Sequence, residues 1–120
     1  MTIRRMKTYA GGQGFVYQYY YVGNRKIPAK NGQDSATEYI FDVTSDRKTT
    51  FSVSISFPEK ALEGWAARHG RPLTDAEQYG AVKMRLFQAF DEVEDLMAHG
   101  RQLSVDAEIL EKALATLGVN

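Results

Sequence analysis

The sequence predicts an α+β fold, and three observations lead there. Residues 37–57 alternate apolar and polar side chains with the two-residue period of a strand. From residue 58 onward the apolar side chains recur at three- and four-residue steps, the period of a helix. The strand-like segments come first and the helix-like ones after, an order that segregates helices to one side of a sheet. The expected architecture is a three-stranded antiparallel sheet, with a fourth strand at the N-terminal edge as its extension, followed by three helices covering one face. A chain of 120 residues, 43% apolar and 25% charged, suits one domain over residues 1–120 with one core.

Residues 3–9 read as a short extended start, and Gly11, Gly12 and Gly14 then break the backbone. The Gly-Gly-Gln-Gly run lacks the Lys-Ser/Thr ending of a phosphate loop and leads into a strand rather than a helix, so it reads as a turn. Residues 15–22, Phe-Val-Tyr-Gln-Tyr-Tyr-Tyr-Val, form a strand by composition. One of its faces is Phe15, Tyr17, Tyr19 and Tyr21, the other Val16, Gln18, Tyr20 and Val22, and neither is properly polar. Gly23-Asn24 is expected to turn the chain into a polar loop over residues 27–36.

The next two strands alternate cleanly. Tyr39, Phe41 and Val43 form the apolar set of residues 37–44, and Phe51, Val53, Ile55 and Phe57 that of residues 49–57. Parity then sets the turn: Val43 opposite Phe51 makes Asp46, Arg47 and Lys48 a three-residue loop, whereas a two-residue loop would oppose Phe51 to Asp42 and bury the wrong set.

Pro58 suits a first helical position, and Ala61, Leu62, Trp65 and Ala66 stripe a helix up to Gly70. The longest unbroken period lies in residues 73–100, where Tyr79, Val82, Leu86, Phe90, Val93 and Met97 stack along one side. Thr74 and Glu77 make a capping box at its start, and Gly100 suits a left-handed end. A third helix is expected to start at the cap Ser104, to bury Val105, Ile109, Leu110, Ala113, Leu114 and Leu117, and to end at Gly118. One echo stands out. His-Gly-Arg-Pro-Leu-Thr at residues 69–74 returns as His-Gly-Arg-Gln-Leu-Ser at residues 99–104. Helix-ending chemistry accounts for the His, the Gly and the Thr/Ser of that string, but not for its Arg and Leu.

Composition narrows the chemistry. With no cysteine, disulfides, thiolate metal sites and cysteine nucleophiles are excluded, and a reducing, cytoplasmic setting fits. No apolar h-region follows the basic start, and no stretch approaches the roughly 18 apolar residues of a membrane span, so no membrane partner is expected. Residues 1–34 carry six Lys/Arg against one Asp, and residues 91–120 carry seven acids against two bases. Asp91, Asp95 and His99 fall on one face of the expected helix, but spread over about 12 Å at 1.5 Å per residue they do not converge on one ion. No hydrolase motif occurs, although either histidine, His69 or His99, can still meet a carboxylate through the fold. No metal, cofactor or catalytic residue is expected, and no family resemblance emerges.

The tyrosine strand carries the functional reading. Tyr17, Tyr19, Tyr20, Tyr21, Arg25 and Lys26 are the expected binding residues. A strand apolar on both faces, beside strands wet on one, points to a non-catalytic interaction protein that forms a homo-oligomer. The alternative is nucleic-acid binding, with the rings stacking bases while Arg4, Arg5, Lys7, Arg25, Lys26 and Lys30 neutralise phosphates. A small enzyme is the third reading, supported by no motif.

Overall fold

The computed structural model describes residues 6–12 and 14–119, so Ile3, Arg4, Arg5 and Gln13 lie outside the described residues. The elements run β1 (Lys7–Ala10), β2 (Val16–Ile27), β3 (Ala36–Thr44), β4 (Phe51–Pro58), α1 (Glu59–His69), α2 (Asp75–Glu92), α3 (Leu96–His99), β5 (Gln102–Ser104) and α4 (Ala107–Thr116). The class is α+β, as expected. The sheet is larger than expected and mixed: five strands in the order β1-β2-β3-β4-β5, antiparallel except that β5 runs parallel to β4.

The central hairpin follows from side-chain parity. Val43 opposes Phe51, and the ladder runs back to Ala36 opposite Pro58. Tyr39, Phe41, Val43, Phe51, Val53, Ile55 and Phe57 are all buried, while Ser52 is exposed and Ser54 and Ser56 half-buried. In the loop the Asp46 carboxylate accepts from the N–H groups of Lys48 and Thr49, each at 2.8 Å, which holds Arg47 in a left-handed conformation at φ 64. These bonds to its charged form, the Thr49 one first, keep the Asp46 pKa below the usual carboxylate range.

The capping box also forms. The Thr74 hydroxyl accepts from Glu77 N–H at 3.2 Å, and Glu77 returns the bond to Thr74 N–H at 2.9 Å. From it α2 lays Val82, Leu86, Ala89 and Phe90 into the core with Trp65 and Leu110, all without exposed surface. Each large apolar side chain buried this way stabilises the fold by roughly 1.5–3 kcal/mol.

Five boundaries differ from expectation, each for a physical reason. First, β2 does not turn at Gly23-Asn24 but runs on to Ile27; a bulge there leaves Val22 without a partner of its own, since Tyr21 pairs with Phe41 and Gly23 with Ile40. The reversal comes later, where Lys30 and Gln33 bridge around Asn31 and Gly32 at φ 51 and 79. Second, Pro58 ends β4 and is the N-cap of α1 rather than its first residue; the first amides of α1 are taken by Ser35 O (2.9 Å) and the Asp34 carboxylate (2.8 Å).

Third, the long helix stops at Glu92. Val93 is extended (φ −87, ψ 116), and Asp95 caps a new turn by accepting from Ala98 N–H. The break exchanges which side chain goes in: Leu96 is 2% exposed and Met97 48%, the reverse of what a continuous stripe requires. Fourth, Gly100 has φ −126, so the left-handed conformation does not explain it; a Cβ there would collide with Leu96 and press on Val93 at 3.2 Å. Fifth, Ser104 closes β5 rather than capping a helix. The cap of α4 is Asp106, whose side chain accepts from Ile109 N–H at 2.8 Å, and Leu117 is left 46% exposed.

The strand β5 exists because β4 would otherwise end the sheet with unpaired groups. Ser54 N–H donates to Arg101 O at 2.8 Å, and Val105 N–H to Ser56 O at 2.9 Å. The helices lie on the same side of the sheet as the apolar faces of β3 and β4. Among the described residues no helix covers the other side.

Candidate functional site: two faces and two ends of the tyrosine strand

Alternation along β2 divides the expected binding residues. Tyr17 and Tyr19 point to the helices and are 3% and 5% exposed. Tyr17 stacks on Phe90 with centroids 4.3 Å apart, while Tyr19 meets Phe87 edge-on at 5.6 Å beneath the Lys83 ammonium, 5.7 Å from its ring. Both rings are occupied in the core. Burial raises both phenol pKa values, so both hydroxyls stay protonated. Tyr20 lies on the opposite face, half-buried and opposite Asp42. Tyr21 is half-buried against Tyr79 at 4.9 Å and Phe41 at 5.4 Å.

The bulge then reverses parity, so that Asn24 pairs with core-facing Tyr39 and Lys26 with core-facing Thr37. Lys26 donates to the Thr37 hydroxyl at 2.8 Å and lies 3.9 Å from Glu59, while Arg25 donates to Glu38 at 2.9 Å on the other face. The structure therefore does not gather the six residues into one surface. A base cannot reach the flat faces of Tyr17 and Tyr19, and both cations lie beside carboxylates. No sequence signal gave the bulge away except Gly23 itself, which reads as readily as a turn.

Three features of the strand face solvent. The open side of the sheet carries Val16, 49% exposed, together with Gln18 and Tyr20; Val22 at the bulge is 48% exposed. Across it stand Ile40 on β3 and Ser52, Ser54 and Ser56 on β4. At one end of the helix-covered side is a cleft of about 550 Å³ lined by Tyr21, Lys26, Tyr39, Asp75 and Tyr79. At the other end is a cleft of about 320 Å³, where Phe15, Tyr17, Asp46, Glu94, Asp95 and Met97 converge. The acid run at residues 91–95 was visible in the sequence; the helix break that turns Glu94 and Asp95 toward the turn after β3 was not.

The remaining candidates have structural duties. Asp91 accepts from the Tyr9 hydroxyl and from Gly12 N–H, both at 2.9 Å, which ties the N-terminal hairpin to α2. The glycine turn needs Gly11 because a Cβ would lie 2.7 Å from the Phe90 carbonyl oxygen. With α2 ending at Glu92, Asp91, Asp95 and His99 no longer share one helix, and no group of metal-binding side chains occurs among the described residues. His69 does meet a carboxylate: its Nε2 is 3.1 Å from both oxygens of Glu111, and its ring stacks on Trp65 at 4.2 Å. Arg68 donates to the same Glu111 at 2.8 Å, and the two partners together lower its pKa. Among the described residues no helix is long and apolar enough to cross a membrane. No protein-family model, curated protein or solved structure matches the chain.

Proposed function

We propose that this is a cytoplasmic, non-catalytic interaction protein that pairs with a second copy of itself across the open face of its sheet. The observation that carries the reading is the pair of exposed valines, Val16 and Val22, on a sheet side that no described helix covers. Valines half in water on one strand, beside hydroxyl-bearing strands, make a small apolar strip with a polar flank, the composition of an interface core and rim. A twofold axis through such a strip lays the β2 of one copy against the β2 of the other, and twofold pairs are the commonest closed assembly.

Size bounds the affinity. Five strands about 4.8 Å apart, with the central ladder rising about 3.4 Å per residue, give roughly 500 Å² of sheet per copy. That falls short of the roughly 800 Å² per partner of a standard stable interface, so the pair is expected to be reversible and concentration-dependent. Sedimentation velocity over a wide concentration range tests it. The unmodified chain should shift from monomer to dimer, and Val16→Lys/Val22→Lys should stay a folded monomer throughout. A folded monomer for the unmodified chain at every accessible concentration ends the reading. A steep loss of oligonucleotide binding with added salt would favour the nucleic-acid alternative instead.

A further inference from the structure

We infer that the cleft between the Asp46 loop, the start of β2 and the α2–α3 break binds an organic cation: an alkylammonium or guanidinium group on a short apolar stem. The charge is one-sided. Asp46, Glu94 and Asp95 line the cleft, and none of its lining residues is basic. Two of these acids have local duties that leave an oxygen over. Asp46 Oδ1 takes the Lys48 and Thr49 amides and the Thr44 hydroxyl, and Asp95 Oδ1 takes the Ala98 amide; the Oδ2 atoms make no bond among the described residues. Glu94 makes no hydrogen bond or ion pair among the described residues, and neither capping nor loop closure accounts for it. A cation that enters the cleft is attracted by all three carboxylates.

A second, independent observation points the same way. Tyr17 is 3% exposed and lines the cleft, and its hydroxyl has no hydrogen-bond partner among the described residues. That hydroxyl is free to accept from a ligand N–H that enters the cleft. Burial and the Asp95 charge both raise the Tyr17 pKa, so the phenol stays neutral and its lone pairs remain acceptors for a donor cation.

The walls suit the stem. Phe15 and Met97 are 47% and 48% exposed, and both sit at this cleft. An aromatic face attracts a cation, and a thioether adapts to an alkyl chain. A volume of about 320 Å³ lies at the lower end of the range for small-ligand sites, enough for a short amine. The proposal does not rest on self-association.

Agmatine serves as the probe for a free amine, and N-acetyl-arginine amide as the probe for the same group presented by a peptide. Titrated into the full chain at low salt, agmatine should bind saturably and shift the Met97 methyl and Phe15 ring resonances. Glu94→Gln/Asp95→Asn should weaken it at least tenfold. Asparagine still caps α3, so that variant keeps the fold. Tyr17→Phe should weaken it several-fold, and Asp106→Asn, which neutralises the cap of α4 elsewhere, should leave it unchanged. Tighter binding of the peptide-like probe than of agmatine assigns the site to a protein side chain, and the reverse order to a free amine. The proposal is overturned if neither probe moves Met97 or Phe15 at millimolar concentration, if the uncharged analogue pentanol binds as tightly, or if the double variant binds as the unmodified chain does.

Discussion

Residues 69–74 and 99–104 share four of six identities and a Thr/Ser at the end, yet they build different structures. In the first, Gly70 takes φ 75, its N–H donates to Ala66 O, and Thr74 caps α2. In the second, Gly100 is at φ −126 and residues 102–104 become β5. The difference begins just after the shared string. Thr74 has Glu77 three residues on, which completes a capping box, whereas Ser104 has Ala107, which cannot. Asp106 caps instead, with Val105 before it and Leu110 at the fourth helical position, both fully buried as a hydrophobic staple requires. Moving the helix start by two residues frees residues 102–104 to pair with the bare edge of β4. The shared Leu and Arg then find separate uses. Leu73 is buried, and Leu103 packs against the same core. Arg71 grips Glu77 with two 2.9 Å bonds and lies over Trp65 at 5.1 Å, while Arg101 donates to Ser52 O at 3.2 Å.

Four comparisons test this account, beginning with the largest effect. Leu73→Ala should cost about 3 kcal/mol in urea unfolding, within the range for a buried leucine, and Leu103→Ala, less buried, about half that. Equal losses would mean the two junctions share one role. Gly100→Ala should cost about 2 kcal/mol because its methyl meets Leu96 and Val93, and Gly70→Ala about 1 kcal/mol, from backbone strain alone in open space. A larger loss at Gly70 would reverse the assignment. Thr74→Ala and Asp106→Ala should each cost about 1 kcal/mol as lost caps, and Ser104→Ala less than about 0.5 kcal/mol. A full cap's loss at Ser104 would place the start of α4 there after all.

The smallest effect depends on pH. Arg71 first, and the Thr74 N–H second, lower the Glu77 pKa to about 2 from an ordinary value of 4.5. A carboxyl lowered on folding contributes stability above its unfolded pKa and loses it as pH falls through the folded one. Denaturation midpoints should therefore drop between about pH 4.5 and pH 2, and Glu77→Gln should flatten that slope without abolishing it, because Asp46 and Glu111 are lowered as well. An unchanged slope in the variant would show that the Arg71–Glu77 pair does not couple to folding. Among the described residues the second junction has no such pair to titrate, since Arg101 donates to Ser52 O instead.

The same contrast separates what could be read from the chain from what could not. The register of the β3–β4 hairpin was legible because parity admits only pairings that bury Phe51, Val53 and Ile55 with Tyr39, Phe41 and Val43. The turn itself was not, since the ladder stops at Val43 opposite Phe51 and residues 45–50, rather than Asp46, Arg47 and Lys48 alone, lie between the strands. The Thr74–Glu77 box was legible because both partners lie within one helical turn. The bulge after Tyr21 was not, since Gly23-Asn24 carries the same composition whether it turns or widens a strand. The acidic cleft was legible only in halves: the charges of residues 91–95 were plain, but their approach to Asp46 and Phe15 was not.

By itself, then, the sequence determined the α+β class, the buried faces of β3, β4 and α2, and the Thr74–Glu77 capping box, because these depend on bonds and side-chain directions within a few residues of one another. The tertiary structure alone decided that residues 102–104 would be a strand, that α2 would break at Val93, and that Gly11 and Gly100 would be needed for space rather than for turning. Each of those outcomes is set by a neighbour distant in the chain, whether the unpaired edge of β4, the space that takes Leu96 but not Met97, or the Phe90 carbonyl. A backbone group or side chain that is free to choose locally adopts whatever the distant surface leaves unsatisfied.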